Sequence, residues 1–513
     1  MIQSILNRIE YGLPETVKGS DYTVNNIFEI PVAEQLEYLA EQTIVIGTKT
    51  ASNELFDMKN SYLTWEDTVS LTYTGTQAAY IAWAAANPLE RVALSAGVPF
   101  ESITETINGN TIIAHCPRNF GRFKTLGLLA QPELENMMHF GVRERDTGNV
   151  QWLAAPSAPL GLIPSTGTVD SGGPHPYGLM SHPFKSLINT RMVRNNYNIV
   201  VCNDGTLPAS YRKCILPLTA LSRLATAPCF IPLGLINNVS GNTWEMRLKI
   251  SENIKLYETA VSGNFESNYV YRLRKPRLAI KTVSINNPLL FEQLNFRYNS
   301  HTPLRIPFNN SEYTYDTLLA NSSRQTFHYN LRHRAIKGCA VRFLDSNGFA
   351  GECHLLSDSS LIQQLRFQFT IGRYQYPKVM EASNNLGAYA NDPVESHVAK
   401  TGNHLIRPDG GYSSFDNLAV LRDPLYYNSG TNKFSSFTVS FENLSDSLEE
   451  SLTNRLSSGI DTLANGLIRL ELSYTPILYP VEVQIEWIYQ DLLLCAPGIV
   501  RCVYDEANLP SML

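Results

Sequence analysis

Charge is scarce in this chain. Of 513 residues, only 17% are Asp, Glu, Lys or Arg, against roughly a quarter in an average soluble protein. The formal net charge is −6, and the densest basic run, Arg272, Arg274, Lys275 and Arg277, is short. A protein that grips a nucleic-acid backbone usually carries a basic stripe or tail, so direct sequence-specific nucleic-acid binding is not expected. Tryptophan is rare, 5 residues, which leaves little for a sugar-stacking platform. No apolar run approaches 18 residues and no secretory signal opens the chain, so synthesis in the cytosol is expected and a membrane-spanning role is not. The sequon Asn238-Val239-Ser240 then reads as a chance match.

Chemistry is equally thin. The eight cysteines, at 116, 202, 214, 229, 339, 353, 495 and 502, form no C-x-x-C pair. Buried free thiols in a reducing compartment are expected, with zinc or disulfides as the alternatives. The ten histidines are scattered, H-E-x-x-H, G-x-S-x-G and Walker A motifs are absent, and Cys353-His354 stands without a second ligand pair. Gly172-Gly173 reads as a turn. Asp67, a carboxylate on an otherwise apolar strand face, could be catalytic; more often such a group is hydrogen-bonded at a bulge or faces an interface. No catalytic, cofactor-binding or metal-ligating residue is identified. No cofactor and no enzymatic activity are expected.

What the chain has is alternation. Leu63, Trp65, Val69, Leu71 and Tyr73 alternate with polar residues, broken only by Asp67. The same period of two runs through Trp244–Ile250, Leu365–Ile371, Phe437–Phe441, Ile468–Tyr474 and Val481–Trp487. Such patterns are strands with one face in a core and the other wet or at an interface. Asn108-Gly109 between two β-rich arms predicts a hairpin, because both residues tolerate the positive φ of a type I′ turn. The 26 tyrosines suit cores, sugar sites or protein interfaces.

Helical signals are few. Ile2, Ile5, Leu6 and Ile9 share one face at the N-terminus. Leu218–Ala227 and Leu444, Leu448 and Leu452 are the others. The expected class is therefore all-β. The expected division is an N-terminal arm or helix over 1–20, a first β unit over 21–255, a linker over 256–268 marked by Ser262-Gly263-Asn264, and a second unit with a C-terminal tail over 269–513. Long Gly- and Pro-rich stretches over 141–187 and 374–435 are expected to be functional loops.

Several segments, in order along residues 60–490, resemble the double jelly-roll major capsid proteins of double-stranded DNA viruses, in the virophage, Polinton-like and adenovirus-like lineage. Cys214–Leu218, Phe230–Leu233 and Trp244–Ile250 are similar to the end of a first jelly roll in that family. Upstream, Pro88–Val92 leading to Ile107-Asn108-Gly109 resembles its strand and turn. Lys275–Ile280 looks like the strand that opens the second jelly roll. Thr326–Asn330, Ile336–Phe343, Gln368–Pro377, Ser458–Thr462 and Ile468–Tyr474 resemble later segments.

The resemblance implies two tandem jelly-roll β-barrels with long loops and a few short helices. It also implies homotrimers of pseudo-hexameric outline that tile an icosahedral shell in the virion. Neighbouring capsomers, penton and minor capsid proteins would be partners, and an internal membrane is a further candidate. Competing readings are a secreted or surface carbohydrate-binding β-sandwich protein, a β-rich hydrolase, and a minor vertex or spike protein of a virus.

Overall fold

A computed structural model describes residues 22–29, 35–86, 92–93, 99–115, 198–207, 211–236, 243–251, 257–258, 264–266, 270–300, 304–333, 335–345, 362–363, 366–372, 374–376, 433–434, 436–441, 460–462, 466–497 and 499–503. The arm 1–20, the helical signals at 2–9 and 444–452, almost all of the two long loops, and the tail after 503 lie outside these residues.

Among the described residues, sixteen strands frame two sandwiches of eight, and the shorter strands Tyr38–Leu39, Asn198–Cys202, Gly205–Leu207 and Ile499–Val503 extend their sheets. The first eight are β1 (Tyr22–Glu29), β2 (Thr43–Thr48), β3 (Glu54–Thr72), β4 (Phe100–Ile107), β5 (Asn110–His115), β6 (Arg212–Pro217), β7 (Trp244–Ile250) and β8 (Val270–Ile285). The second eight are β9 (Leu304–Leu318), β10 (Arg324–Tyr329), β11 (Ile336–Asp345), β12 (Arg366–Ile371), β13 (Tyr374–Tyr376), β14 (Ser436–Ser440), β15 (Ile468–Ser473) and β16 (Val481–Ala496). In the first sandwich one sheet runs β1-β8-β3-β6 and the other β2-β7-β4-β5. In the second, one runs β9-β16-β11-β14 and the other β10-β15-β12-β13. Adding eight to each label of the first sandwich gives the second. An order of first-eighth-third-sixth facing second-seventh-fourth-fifth is the jelly roll, two Greek keys wrapped into one sandwich.

This pairing corrects the expected start of the second unit. β8, which holds Lys275–Ile280, lies between β1 and β3 in the first sandwich, with Ile280 opposite Ile27 and Leu278 opposite Leu63. It closes the first jelly roll instead of opening the second, and Trp244–Ile250 is the seventh strand, not the last. The period-2 pattern located the strand but said nothing about its partners.

The alternation sets the cores. Trp244, Met246, Leu248 and Ile250 are fully buried between the sheets, while Arg247 faces water. Each such side chain stabilises the fold by about 1.5–3 kcal/mol relative to exposure. Leu63, Val69, Phe100, Ile103 and Ile280 share that core. Phe343, Phe369, Phe441, Leu470 and Trp487 share the other. Lys275 has φ 50°, and the β8–β3 register slips between Arg274 and Arg277. Pro276 has no N–H for the ladder, so the strand bulges there.

Helices fill the connections. The signal at 218–227 resolves into α2 (Leu218–Leu221) and a 3-10 turn over Leu224–Thr226. Two further helices were not read from the sequence. α1 (Gln77–Ala86) packs Tyr80 and Trp83 against Tyr73 and Phe265. α3 (Pro288–Asn299) joins the two sandwiches and buries Leu290, Leu294 and Tyr298. Its N-cap is Asn287, whose side-chain oxygen accepts from Leu289 and Leu290 N–H.

The Asn108-Gly109 turn forms as read, with φ of 52° and 77°. Nothing lies within 4 Å of where a Cβ on Gly109 would sit. Gly109→Val should therefore cost about 1–2 kcal/mol from backbone strain alone. Urea denaturation should show a lower midpoint with an unchanged slope.

Candidate functional site

The strands β9 and β16 are longer than the sheet that faces them. Their register runs from Leu318 opposite Val481 to Leu304 opposite Cys495. The far end, with Leu318, Val481, Val483 and Ile485, belongs to the second core. The near end does not: Leu304, Ile306, Phe308, Leu493 and Cys495 pack into the core of the first sandwich. Between these apolar stretches both strands turn polar, at Asn309–Tyr313 and at Glu486, Gln490 and Asp491. The polar belt lies where the two sandwiches meet.

Here the first sandwich supplies Glu105, His115, Ser222 and Arg223, and the second answers. Arg223 Nη2 donates to Glu486 Oε1 at 2.6 Å, and its Nε donates to Ser311 Oγ at 2.8 Å. The Ser311 and Tyr313 hydroxyls donate to the same Glu486 oxygen at 2.9 and 3.1 Å. His115 Nε2 lies 3.1 Å from Asn310 Oδ1, and Asn310 Nδ2 donates to Asp491 Oδ2 at 2.9 Å. The other Asp491 oxygen accepts from Leu492 N–H at 2.8 Å. Ser222 Oγ donates to Glu105 Oε2 at 2.7 Å, and Asn309 N–H donates to Thr226 Oγ1 at 3.1 Å. On the outer side His333 stacks on Tyr489 at 3.6 Å and meets Glu312 at 2.6 Å.

Burial alone would depress the Arg223 guanidinium and is the largest single effect on it, but the Glu486 charge, Tyr313 and the Glu486 hydrogen bond together hold Arg223 above its ordinary value. Asp491 likewise lies above the ordinary value for its group. Burial pushes it up, against the opposing effects of Asn310, Leu492 N–H and His333.

A buried ion pair adds little net stability against an apolar substitute, yet breaking it strands a charge. The belt therefore selects one docking register. Any slide of β9 and β16 would keep apolar area buried but separate Arg223 from Glu486 and Asn310 from His115.

Positions singled out in the sequence have ordinary structural roles. Asp67 Oδ2 accepts from Trp65 Nε1 at 3.2 Å and from the Tyr271 hydroxyl at 3.0 Å. The basic run is largely neutralised, with Arg272 on Glu37 at 2.6 Å and Arg274 and Lys275 on Glu66 at 2.7 and 3.3 Å. Arg274 also lies 3.3 Å from the Tyr211 ring centroid. Cys202, Cys339, Cys495 and Cys502 are free thiols. Burial pushes the Cys495 thiol up to about 12 and that of Cys339 well above the usual range, so both stay protonated at neutral pH. Cys353-His354 and Gly172-Gly173 lie outside the described residues. Among the described residues no group of three or more His, Cys, Asp or Glu could hold a metal, and no helix is long and apolar enough to cross a membrane.

The seam itself was not anticipated. Asn309-Asn310-Ser311-Glu312, a polar break inside a β-rich run, was the signal that could have found it.

Arg223 and Glu486 have side chains only 7% and 3% exposed. Arg223→Met should cost about 3–5 kcal/mol, because Glu486 loses its cation while buried. Adding Glu486→Gln should recover much of that loss. Equilibrium denaturation of the two variants checks both statements.

No protein-family model matches this sequence, and no curated protein does. Solved structures match along nearly the whole chain. VP54 of PBCV-1, a structure fitted into a reconstruction of the virophage Sputnik, is 9% identical with a TM-score of 0.50, covering 96% of this chain and 100% of the other. A chain of the PBCV-1 virus capsid is 10% identical with a TM-score of 0.50, covering 96% and 99%. Two eight-stranded sandwiches of identical strand order, matched end to end by these chains, give this protein the double jelly-roll fold.

Proposed function

We propose that this chain is a major capsid protein whose homotrimers tile an icosahedral virus shell. The observation that carries the reading is the tandem repeat of one eight-strand order, in a fold shared end to end with PBCV-1 capsid chains. Two similar sandwiches per chain become six in a trimer, so a threefold object presents a near-hexagonal edge. A cyclic trimer uses heterologous contacts that close after three copies. Permanent interfaces of this kind commonly bury more than about 2,000 Å², whereas contacts between neighbouring capsomers would be smaller and more polar. A trimer cannot fill a fivefold vertex, so penton and minor capsid proteins are proposed partners. The chain would be made in the host cytoplasm and reside in the virion, with genome contact left to other components.

The strand order supports a division different from the sequence-based one. The first jelly roll would run from 22 to 285, the connector from 286 to 303 around α3, and the second jelly roll from 304 to 496. In the first sandwich, β5 ends and β6 begins toward the end where Val270 pairs with Ser70. In the second, β13 ends and β14 begins toward the end where Leu318 pairs with Val481. Residues 141–187, and 377–435 of the second stretch, fall in those two connections, while 374–376 form β13 itself. They are proposed to serve the trimer clasp and the outer surface.

Light scattering on the purified full chain tests the reading. A trimer has a mass of about 172 kDa, three times 57.4 kDa, and should persist on dilution. A monomer at every concentration would remove the capsomer proposal.

A further inference from the structure

Among the described residues, three buried carboxyl groups gather at the seam. Glu105, Glu486 and Asp491 are each no more than 2% exposed. Arg223 is the cation set against Glu486. Both Asp491 oxygens accept hydrogen bonds, from Asn310 and from Leu492 N–H, and neither donor brings a charge. Among the described residues, the nearby groups able to take a proton include His115, linked to Asp491 through the Asn310 amide, and His333, whose charge would favour the aspartate anion.

We propose that the seam is a proton-dependent clamp. His115, Asn310 and Asp491 hold the two jelly rolls together while one proton resides among them, and loss of that proton loosens the contact. The geometry makes the coupling direct. Asp491 stands on β16 opposite Phe308, and Phe308 and Leu493 beside it are packed into the first core. An added negative charge here has no water to screen it, and the way to hydrate it is to part the strands from the first sandwich.

The charged and titratable groups around Asp491 come from every side. β4 brings Glu105, β5 brings His115, and the 218–226 segment brings Arg223. β9 brings Glu312 and Tyr313, and His333 precedes β11. β16 itself carries Glu486 and Cys495, and the strand Ile499–Val503 carries Cys502. Arg223 is engaged by Glu486, and the Cys495 and Cys502 thiols are pushed up by burial. Burial favours the proton of Asp491, against the hydrogen bonds from Asn310 and Leu492 N–H and the charge of His333. A carboxyl raised in the folded state adds stability that is complete below the ordinary aspartate value of 3.8. That stability is lost as pH rises through the folded value.

Hydrogen exchange on the full chain between pH 4 and 8 tests the clamp independently of any capsid role. After normalisation to intrinsic rates, opening at 304–310 and 491–496 should rise about tenfold per pH unit while the proton is being lost. β10, β12 and β15, which lie in the second core, should not follow. Asp491→Asn should abolish that rise, and Glu486→Gln should loosen the seam at all pH values yet keep it. A wild-type seam whose opening stays in constant ratio to β10, β12 and β15 would overturn the proposal, even if no variant folds. So would an Asp491→Asn protein with the wild-type pH dependence.

Discussion

Two strands outrun their own sandwich, and the architecture depends on what covers them. β9 has 15 residues and β16 has 16, whereas β10, β12 and β15 on the opposing sheet have 6 each. A strand of that length spans about 50 Å at roughly 3.3 Å per residue, well beyond the reach of the shorter sheet. The overhang is apolar at Leu304, Ile306, Phe308, Leu493 and Cys495, so it must be buried elsewhere. The first sandwich buries it, and in doing so merges its own core with the second jelly roll. The two units are therefore joined by shared core as well as by the connector α3.

Apolar overhang alone would leave the angle between the sandwiches loosely defined, because the hydrophobic effect has no direction. The belt of Arg223, Glu486, Ser311, His115, Asn310 and Asp491 supplies direction. Each of these side chains has a hydrogen-bond partner from the opposite sandwich or from an adjacent strand, and that set of partners belongs to one register. The proposed shell tile would need that constraint, since a capsomer edge is straight only if both jelly rolls of every copy stand at one fixed angle.

Much of the fold could be read in advance. Period-2 runs at Leu63–Tyr73, Trp244–Ile250, Ile468–Tyr474 and Val481–Trp487 became β3, β7, β15 and β16, and Asn108-Gly109 became the hairpin between β4 and β5. Pairing could not be read the same way. β8 bonds to β1 and β3, more than 190 residues earlier in the chain, and alternation carries no memory of such partners, so β8 was placed in the wrong unit. α1 was missed because Gln77–Ala86 has no polar face to set a helical period. α3 carried a usable sign in Asn287-Pro288, an N-cap followed by proline at the first helical position. The seam stayed hidden because Asn, Ser and Glu inside a strand look like any water-facing positions until a second domain covers them.

In the proposed capsomer, two jelly rolls locked at one angle make half-edges of a six-sided tile. Electron-microscope class averages of the purified assembly, viewed down its symmetry axis, address it directly. Threefold particles with six lobes in two alternating kinds, one for each jelly roll, are expected. Particles with three lobes, or with the two jelly rolls of a copy at variable angles, would contradict it.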